Sequence, residues 1–219
     1  FMTKPQFSDL LFYVMLGVIL GGRLGYMIFY GFDTIINDPL QVFYVWQGGM
    51  SFHGGLLGVI SAVLIFCCRF KFCFFEVTDF IAPLVPLGIF FGRCANFINA
   101  ELWGRATDVP WAVIFPYVDS QPRHPSQIYE MLLEGALLFI ILNYLVKTPY
   151  TRGFLTGAFL LFYSIFRMFL ELFREPDQQL GFLVNSLFTM GQILSFPMLV
   201  FGIFLIVHPY LKFFNEKTT

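Results

Sequence analysis

The sequence predicts an all-α polytopic membrane protein with six transmembrane helices, and three observations carry that reading. Of the 219 residues, 58% are hydrophobic and only 12% are charged, about half the charged share of an ordinary soluble domain. Runs of about twenty residues recur with almost no charge, the length that a hydrocarbon core of roughly 30 Å demands at 1.5 Å rise per residue. Lys and Arg collect in alternate connections, as they do where loops on one side of a bilayer carry the excess. A chain this poor in polar side chains cannot cover a water-facing surface.

Apolar runs and their punctuation place the six helices at residues 8–30, 49–68, 77–92, 127–146, 153–172 and 187–209. The first has Gly17, Gly21 and Gly25 at every fourth position, and the second answers with Gly54 and Gly58. Such spacing lets two helix backbones approach closely in a membrane. The third is interrupted by Pro83 and Pro86 and carries Asp79 near its start; proline is tolerated in a membrane helix when neighbours satisfy the freed backbone groups. The fourth opens on R-H-P-S-Q-I-Y-E, residues 123–130. There Pro125 suits a helix start, and Glu130 in the early helix complements the dipole, so His124 reads as part of a well-made helix entry. His208, beside Pro209, reads as structural.

Orientation follows from the positive charges. Lys4, Arg69, Lys71, Lys147, Arg152, Lys212 and Lys217 fall on one side, which is expected to be cytoplasmic. The opposite side holds the loops near 31–48, 93–126 and 173–186, with Arg93, Arg105, Arg123 and Arg174. The longest of these connections, about 93–126, carries Trp103, Trp111 and Tyr117, aromatics suited to an interfacial layer. The expectation is one transmembrane domain over 1–219 with this outward loop region.

Net charge is −1, which favours neither nucleic acid nor an acidic partner. Cys67, Cys68, Cys73 and Cys94 show no C-x-x-C spacing and read as reduced, structural thiols. The three histidines are not spaced as ligands, and carboxylates accompany arginines, so no metal and no cofactor is expected.

Ionisable residues inside a bilayer are costly, by about 2.5–3.5 kcal/mol at the centre on insertion scales, and so point to pairing, water access or function. Arg23, Arg93 and Arg167 fall within or at the ends of spans, all toward the outward half. Arg is permanently charged and offers a planar fork that matches phosphate, so three at one depth imply an anionic guest. Glu171 stands four residues after Arg167, on the same helix face. His53, in F-H-G-G-L-L-G, has a near-neutral reference pKa suited to a general base, and two following glycines leave room beside it. The bland alternative is a network of structural ion pairs. An anion transporter also suits buried arginines, but the costly residues gather toward one face and no internal repeat is evident. An intramembrane serine protease is disfavoured, because no G-x-S-x-G occurs and Ser51 beside His53 lacks the required separation.

Residues 92–104 read G-R-C-A-N-F-I-N-A-E-L-W-G. This segment resembles the signature of the phosphatidylglycerol:prolipoprotein diacylglyceryl transferase family, with Gly92, Arg93, Asn96, Phe97, Asn99, Glu101 and Gly104 in register. G-G-R-L-G-Y at 21–26, G-G-M-S-F-H-G-G-L at 48–56, R-H-P-S-Q-I-Y-E at 123–130 and F-R-M-F-L-E-L-F-R-E-P-D at 166–177 resemble the same family in the same order. Ala95 stands where glycine is usual, and the loop between Gly104 and Arg123 is short for the family.

The resemblance covers essentially the whole chain and implies a bacterial inner-membrane enzyme of seven helices with its site toward the periplasm. The helix lacking here is the family's first, which carries a tyrosine thought essential. The implied reaction moves the diacylglyceryl group of phosphatidylglycerol onto the lipobox cysteine thiol of a prolipoprotein signal peptide, forming a thioether and releasing glycerol phosphate. The implied partners are that lipid, that peptide and the bilayer, with no nucleic acid. On this reading Arg93 and Arg167 hold the phosphate, and Asn96 and Asn99 bond the head group. Glu101 and Glu171 orient the arginines, and His53 is the candidate base. Arg23, Tyr26 and Gly104 complete the expected substrate-binding set.

Overall fold

The computed structural model describes residues 2–32, 36, 38–175, 182–183 and 188–218. It is mostly helical and divides into two compact units, Phe1–Val77 and Thr78–Thr219.

In the first unit, α1 (Lys4–Tyr30) begins earlier than its apolar run because Thr3 and Gln6 form a reciprocal capping box, which satisfies free amides at the helix start. Helix α2 (Phe52–Phe70) is capped by Ser51 Oγ, which accepts from Gly54 N at 3.2 Å. The expected glycine seam joins the two helices. A Cβ on Gly17 would lie 2.6 Å from Gly58 O, and one on Gly25 would lie 2.7 Å from Gly54 Cα. Larger side chains at these positions would force the backbones apart. Between the helices run two short 3₁₀ turns, Pro39–Phe43 and Val45–Gln47, and Ser51 N donates to Gly22 O at 2.9 Å.

Helix α3 (Phe74–Ile81) and helix α4 (Val85–Ile98) meet at a bend of 46°. Pro83 and Pro86 account for the break, since each lacks the amide that would continue the ladder. The third expected span is thus a broken pair covering 74–98.

In the second unit, α5 (Ser126–Glu130) runs without interruption into a π-helical turn, Met131–Leu137, and then α6 (Leu138–Leu145). Helix α7 (Phe154–Leu170) and helix α8 (Met190–Thr218) follow. Leu138, Leu142 and Ala158 form a buried core, packed over by Phe159, Phe162, Tyr163 and Phe166. The start of α7 is capped from a distance: Asp79 accepts from Gly153 N at 2.7 Å and Thr156 N at 2.8 Å. This acid within the third span is therefore an N-terminal cap supplied by another helix. Two short hairpins, β1 (Val113–Ile114) with β2 (Pro122–Arg123) and β3 (Phe182–Leu183) with β4 (Phe188–Thr189), were not foreseen.

Each of the six expected ranges is helical over most of its described residues. Among the described residues, four helices are long and apolar enough to span a bilayer alone, the bent pair makes a fifth if it is one broken span, and Phe154–Leu170 is a shorter apolar helix of 17 residues. Their surfaces carry large exposed apolar side chains such as Phe12, Leu57, Ile65, Ile140 and Phe204, as a lipid-facing surface requires. The start of the sixth expected span at 187 and part of the loop at 173–186 lie outside the described residues.

Candidate active site

The second unit gathers six charged side chains that are distant in sequence. Arg93 sits in the last two turns of α4, Glu130 and Glu134 lie on α5 and the π turn, Arg167 and Glu171 are at the end of α7, and Arg174 follows it. Glu130 is fully buried and is the hub. Its Oε2 lies 2.8 Å from Arg93 Nε, and its Oε1 lies 2.8 Å from Arg167 Nη1 and 3.3 Å from Arg174 Nη1. Arg167 Nη2 lies 2.8 Å from Glu171 Oε2, the pairing expected from their spacing. Glu134 is also fully buried, at 3.8 Å from Arg93 Nη2 and 4.0 Å from Arg167 Nη1.

The signature segment builds one edge of this cluster. Arg93 Nη1 donates to Asn96 Oδ1 at 3.3 Å, and Asn96 Nδ2 donates to Glu101 Oε2 at 3.1 Å. Glu101 therefore reaches Arg93 through Asn96. After α4 the chain turns sharply, with positive φ at Ala100 (54°) and Leu102 (56°), conformations that non-glycine residues adopt only under constraint. The constraint is visible: Gln127 Nε2 donates to Glu101 O at 2.6 Å, and Ser126 Oγ donates to Leu102 O at 2.9 Å. Asn99 is exposed and forms the C-cap of α4. Gly104 is wedged between two backbones, where a Cβ would lie 2.7 Å from Phe173 O and from His124 Cβ. Its place in the motif follows from packing that only glycine permits.

Beyond this edge, the side chain of Arg123 hydrogen-bonds Asp119 and holds that carboxyl below its ordinary range, while Asp119 raises the Arg123 guanidinium. Arg123 also donates to Gly104 O at 3.1 Å. Burial lowers the His124 pKa and favours the neutral imidazole. Its Nδ1 lies 3.2 Å from the Tyr129 hydroxyl, which accepts from Trp111 Nε1 at 2.7 Å. A hydroxyl already accepting from Trp111 has its own hydrogen to give to Nδ1. His124 is thus built into the entry to α5, between Tyr129 and Phe173.

The remaining expected residues belong to the first unit. Arg23 is buried, and its guanidinium donates to the carbonyls of Gln41 at 2.6 Å, Val42 at 3.2 Å, Gly48 at 2.5 Å and Gly49 at 3.3 Å. Its fork ties the 38–50 segment to α1. The Tyr26 ring lies 6.0 Å from the Arg23 guanidinium carbon, within cation–π range, and packs against Gly49, whose φ is +77°. His53 is exposed in the first turn of α2, edge-on to Phe52 at 5.6 Å.

A family model described as prolipoprotein diacylglyceryl transferase matches residues 2–208. The chain belongs to the prolipoprotein diacylglyceryl transferase family. Among curated relatives, a phosphatidylglycerol–prolipoprotein diacylglyceryl transferase of Legionella pneumophila (strain Corby) is 58% identical over 203 residues, covering 93% of this chain and 79% of the relative. Proteins of the same name from Vibrio parahaemolyticus and Aeromonas hydrophila are 56% and 55% identical, covering 95% and 93% of this chain and 76% and 74% of their own lengths. Glu130, Glu134 and Arg174 are the members of this ion-paired cluster that sequence reasoning missed. The signal was present for the first two: acids four residues apart in an apolar run need cationic partners.

Beside Arg93 on the same helix, Leu87, Phe90 and Phe91 face Gly135, Ala136, Phe139 and Ile140 across an apolar groove of about 220 Å³. Charged and apolar surfaces thus adjoin within one turn of α4, the arrangement a phospholipid presents from head group to chain.

Proposed function

We propose that this protein transfers the diacylglyceryl group of phosphatidylglycerol to the lipobox cysteine thiol of a prolipoprotein, forming a thioether and releasing glycerol phosphate. The observation that carries the proposal is the paired Arg93–Glu130–Arg167 arrangement, with Arg93 from the 92–104 segment, in a chain that the family model matches over residues 2–208. The bond that breaks joins the lipid glycerol carbon to a phosphate oxygen, so negative charge grows on the departing phosphate. Guanidinium groups already fixed by Glu130, Glu171 and Asn96 stabilise that charge without reorganising during the reaction. Arg93 and Arg167 are the proposed phosphate ligands, with Asn96 and Asn99 on the head group. Glu171 orients Arg167, and Glu101 orients Arg93 through Asn96. Arg23 and Tyr26 in the first unit and Gly104 in the second are the remaining proposed substrate-binding residues.

The experiment is direct: membranes containing the protein are incubated with phosphatidylglycerol and a lipobox peptide. The expected result is a mass gain of one diacylglyceryl group on the cysteine and release of glycerol phosphate. Absence of both would overturn the reading.

His53 is the proposed base for the thiol, whose reference pKa is about 8.5. General-base assistance is worth about 10²–10⁴ in rate, so His53→Gln should lower turnover by that order. Raising the pH toward the thiol's own pKa should partly rescue the variant, because the thiolate then forms unaided. Parallel rate–pH profiles for the two proteins would remove His53 from this role.

The location proposed is the inner membrane with the arginine cluster toward the periplasm, because Arg69 in the last turn of α2, Lys71 just after it, and Lys147 and Arg152 in a later connection are the charges that the positive-inside pattern assigns to the cytoplasm. A cysteine placed by Arg152→Cys should resist an impermeant thiol reagent applied to intact cells. Labelling there would reverse the orientation.

A further inference from the structure

The connection between α4 and α5 holds a stretch that the mechanism above does not use. From Val109 to Val118 the chain reads V-P-W-A-V-I-F-P-Y-V, ten residues without a charge, bounded by Asp108 and Asp119. It is not a helix; it forms turns on either side of the two-residue strand β1. An apolar run of this length is too short to cross a bilayer. Backbone this irregular is not tolerated among lipid chains either, because its amides and carbonyls would go unbonded. The places left for its side chains are against protein, in water, or at the membrane–water boundary.

Protein takes only one of the large side chains. Phe115 is buried and meets Phe97 of α4 edge-on, with ring centroids 6.0 Å apart. Ile114, beside it, points the other way as strand geometry requires and is 53% exposed, while Trp111 is 60% and Tyr117 96% exposed. Two tethers set the depth of these three. Trp111 Nε1 donates to the Tyr129 hydroxyl at 2.7 Å, and Tyr129 lies in the first turn of the Ser126–Leu145 span. Phe97 lies in the last turn of α4, the second half of the bent pair. Both tethers are span ends, the level at which hydrocarbon gives way to head groups and at which Trp and Tyr concentrate. The exposed face is also continuous with the lipid-facing surface of the same helices, since Ile98 next to Phe97 and Leu132 one turn from Tyr129 are exposed. With its indole N–H already given to Tyr129, the Trp111 ring can leave water without stranding a donor.

We propose that residues 109–118 are a membrane-surface anchor. Their turns lie in the head-group layer of the leaflet at that end of the spans, and Trp111, Ile114 and Tyr117 enter the boundary with the acyl chains. Asp108 and Asp119 mark the water side, where Asp119 pairs with Arg123 at 2.6 Å. The partner is the lipid surface itself, whatever its head-group charge, because the stretch has no cation of its own. Through Phe115 on Phe97 the anchor holds the end of the 92–104 segment at head-group depth. The inference does not depend on which reaction the arginine cluster performs.

The test uses the full chain in phosphatidylcholine vesicles doped with one of two photoactivatable phosphatidylcholines, the diazirine placed either beside the ester or at the end of the acyl chain. Adducts are mapped by mass spectrometry of the digested protein. Residues 109–118 should take the ester-side probe over the chain-end probe by about tenfold, because a surface anchor reaches only about 5–10 Å into the boundary. The middle of the Ser126–Leu145 span, around Leu137, should show the reverse preference and serves as the control. Joint replacement by Ile114→Asp and Tyr117→Asp, which leaves Phe115 on Phe97, should cut the ester-side yield on this stretch by about tenfold, since each new charge opposes transfer out of water. Three results would overturn the proposal: no adduct on 109–118 while Leu137 is labelled, a preference of 109–118 for the chain-end probe, or a yield unchanged by the double replacement. A stretch that escapes both lipid probes but is labelled by a lipobox peptide carrying the diazirine would be a peptide-docking surface, and that also contradicts the anchor.

Discussion

Glu130→Gln is expected to be the most damaging single substitution in the second unit. The carboxylate it removes is fully buried and touches Arg93, Arg167 and Arg174 at 2.8, 2.8 and 3.3 Å. An amide of the same shape cannot balance three guanidinium groups. Breaking a buried ion pair from one side typically costs about 3–5 kcal/mol because it strands the partner charge. The expected result is a matching loss of stability of the detergent-solubilised protein in a denaturation titration, together with a fall in transfer activity of at least about 10². A variant with near-parental stability would show that the arginines are held by something other than Glu130.

The second large effect is expected at Arg93. Arg93→Lys keeps the charge but loses the fork that bonds Glu130 through Nε and Asn96 through Nη1. Lysine presents a compact ammonium on a flexible stem, so it cannot hold both neighbours and a phosphate at once. Turnover should fall by about 10²–10³, the range seen when one preorganised donor is removed from a developing anion. The protein should remain inserted and folded. Arg69→Lys, at an exposed position in the last turn of α2, is the matched control and should be near neutral. Retention of normal turnover by Arg93→Lys would remove planar recognition of phosphate at this position.

What the sequence made legible was set by cost. Apolar runs exposed the spans because nothing else explains so few charges, and Arg93 and Arg167 stood out because an arginine in a span demands a reason. The glycine seam between α1 and α2 was legible from spacing alone. Glu130 was hidden because it has a sufficient local explanation, an acid near a helix start, while its partners lie 37 and 44 residues away. At Arg23 the structure adds what spacing does not give: its hydrogen bonds go to carbonyls of an irregular segment, and which carbonyls turn inward is fixed by backbone path and not by residue type. The early start of α1 was available in T-K-P-Q, a capping box with proline in its first turn, which the apolar run overshadowed. The break at 82–84 followed from Pro83 and Pro86, although the angle did not.

The central claim is that the arginine cluster of the second unit serves a phosphate that leaves with the electrons of a carbon–oxygen bond. Phosphatidylglycerol carrying a heavy-oxygen label in the bridge between its diacylglycerol carbon and phosphorus tests this most directly. After transfer to the lipobox peptide, the account predicts that all of the label is in the released glycerol phosphate and none is in the peptide thioether. Label recovered in free diacylglycerol would mean that the phosphorus–oxygen bond is the one cleaved, and would contradict the account.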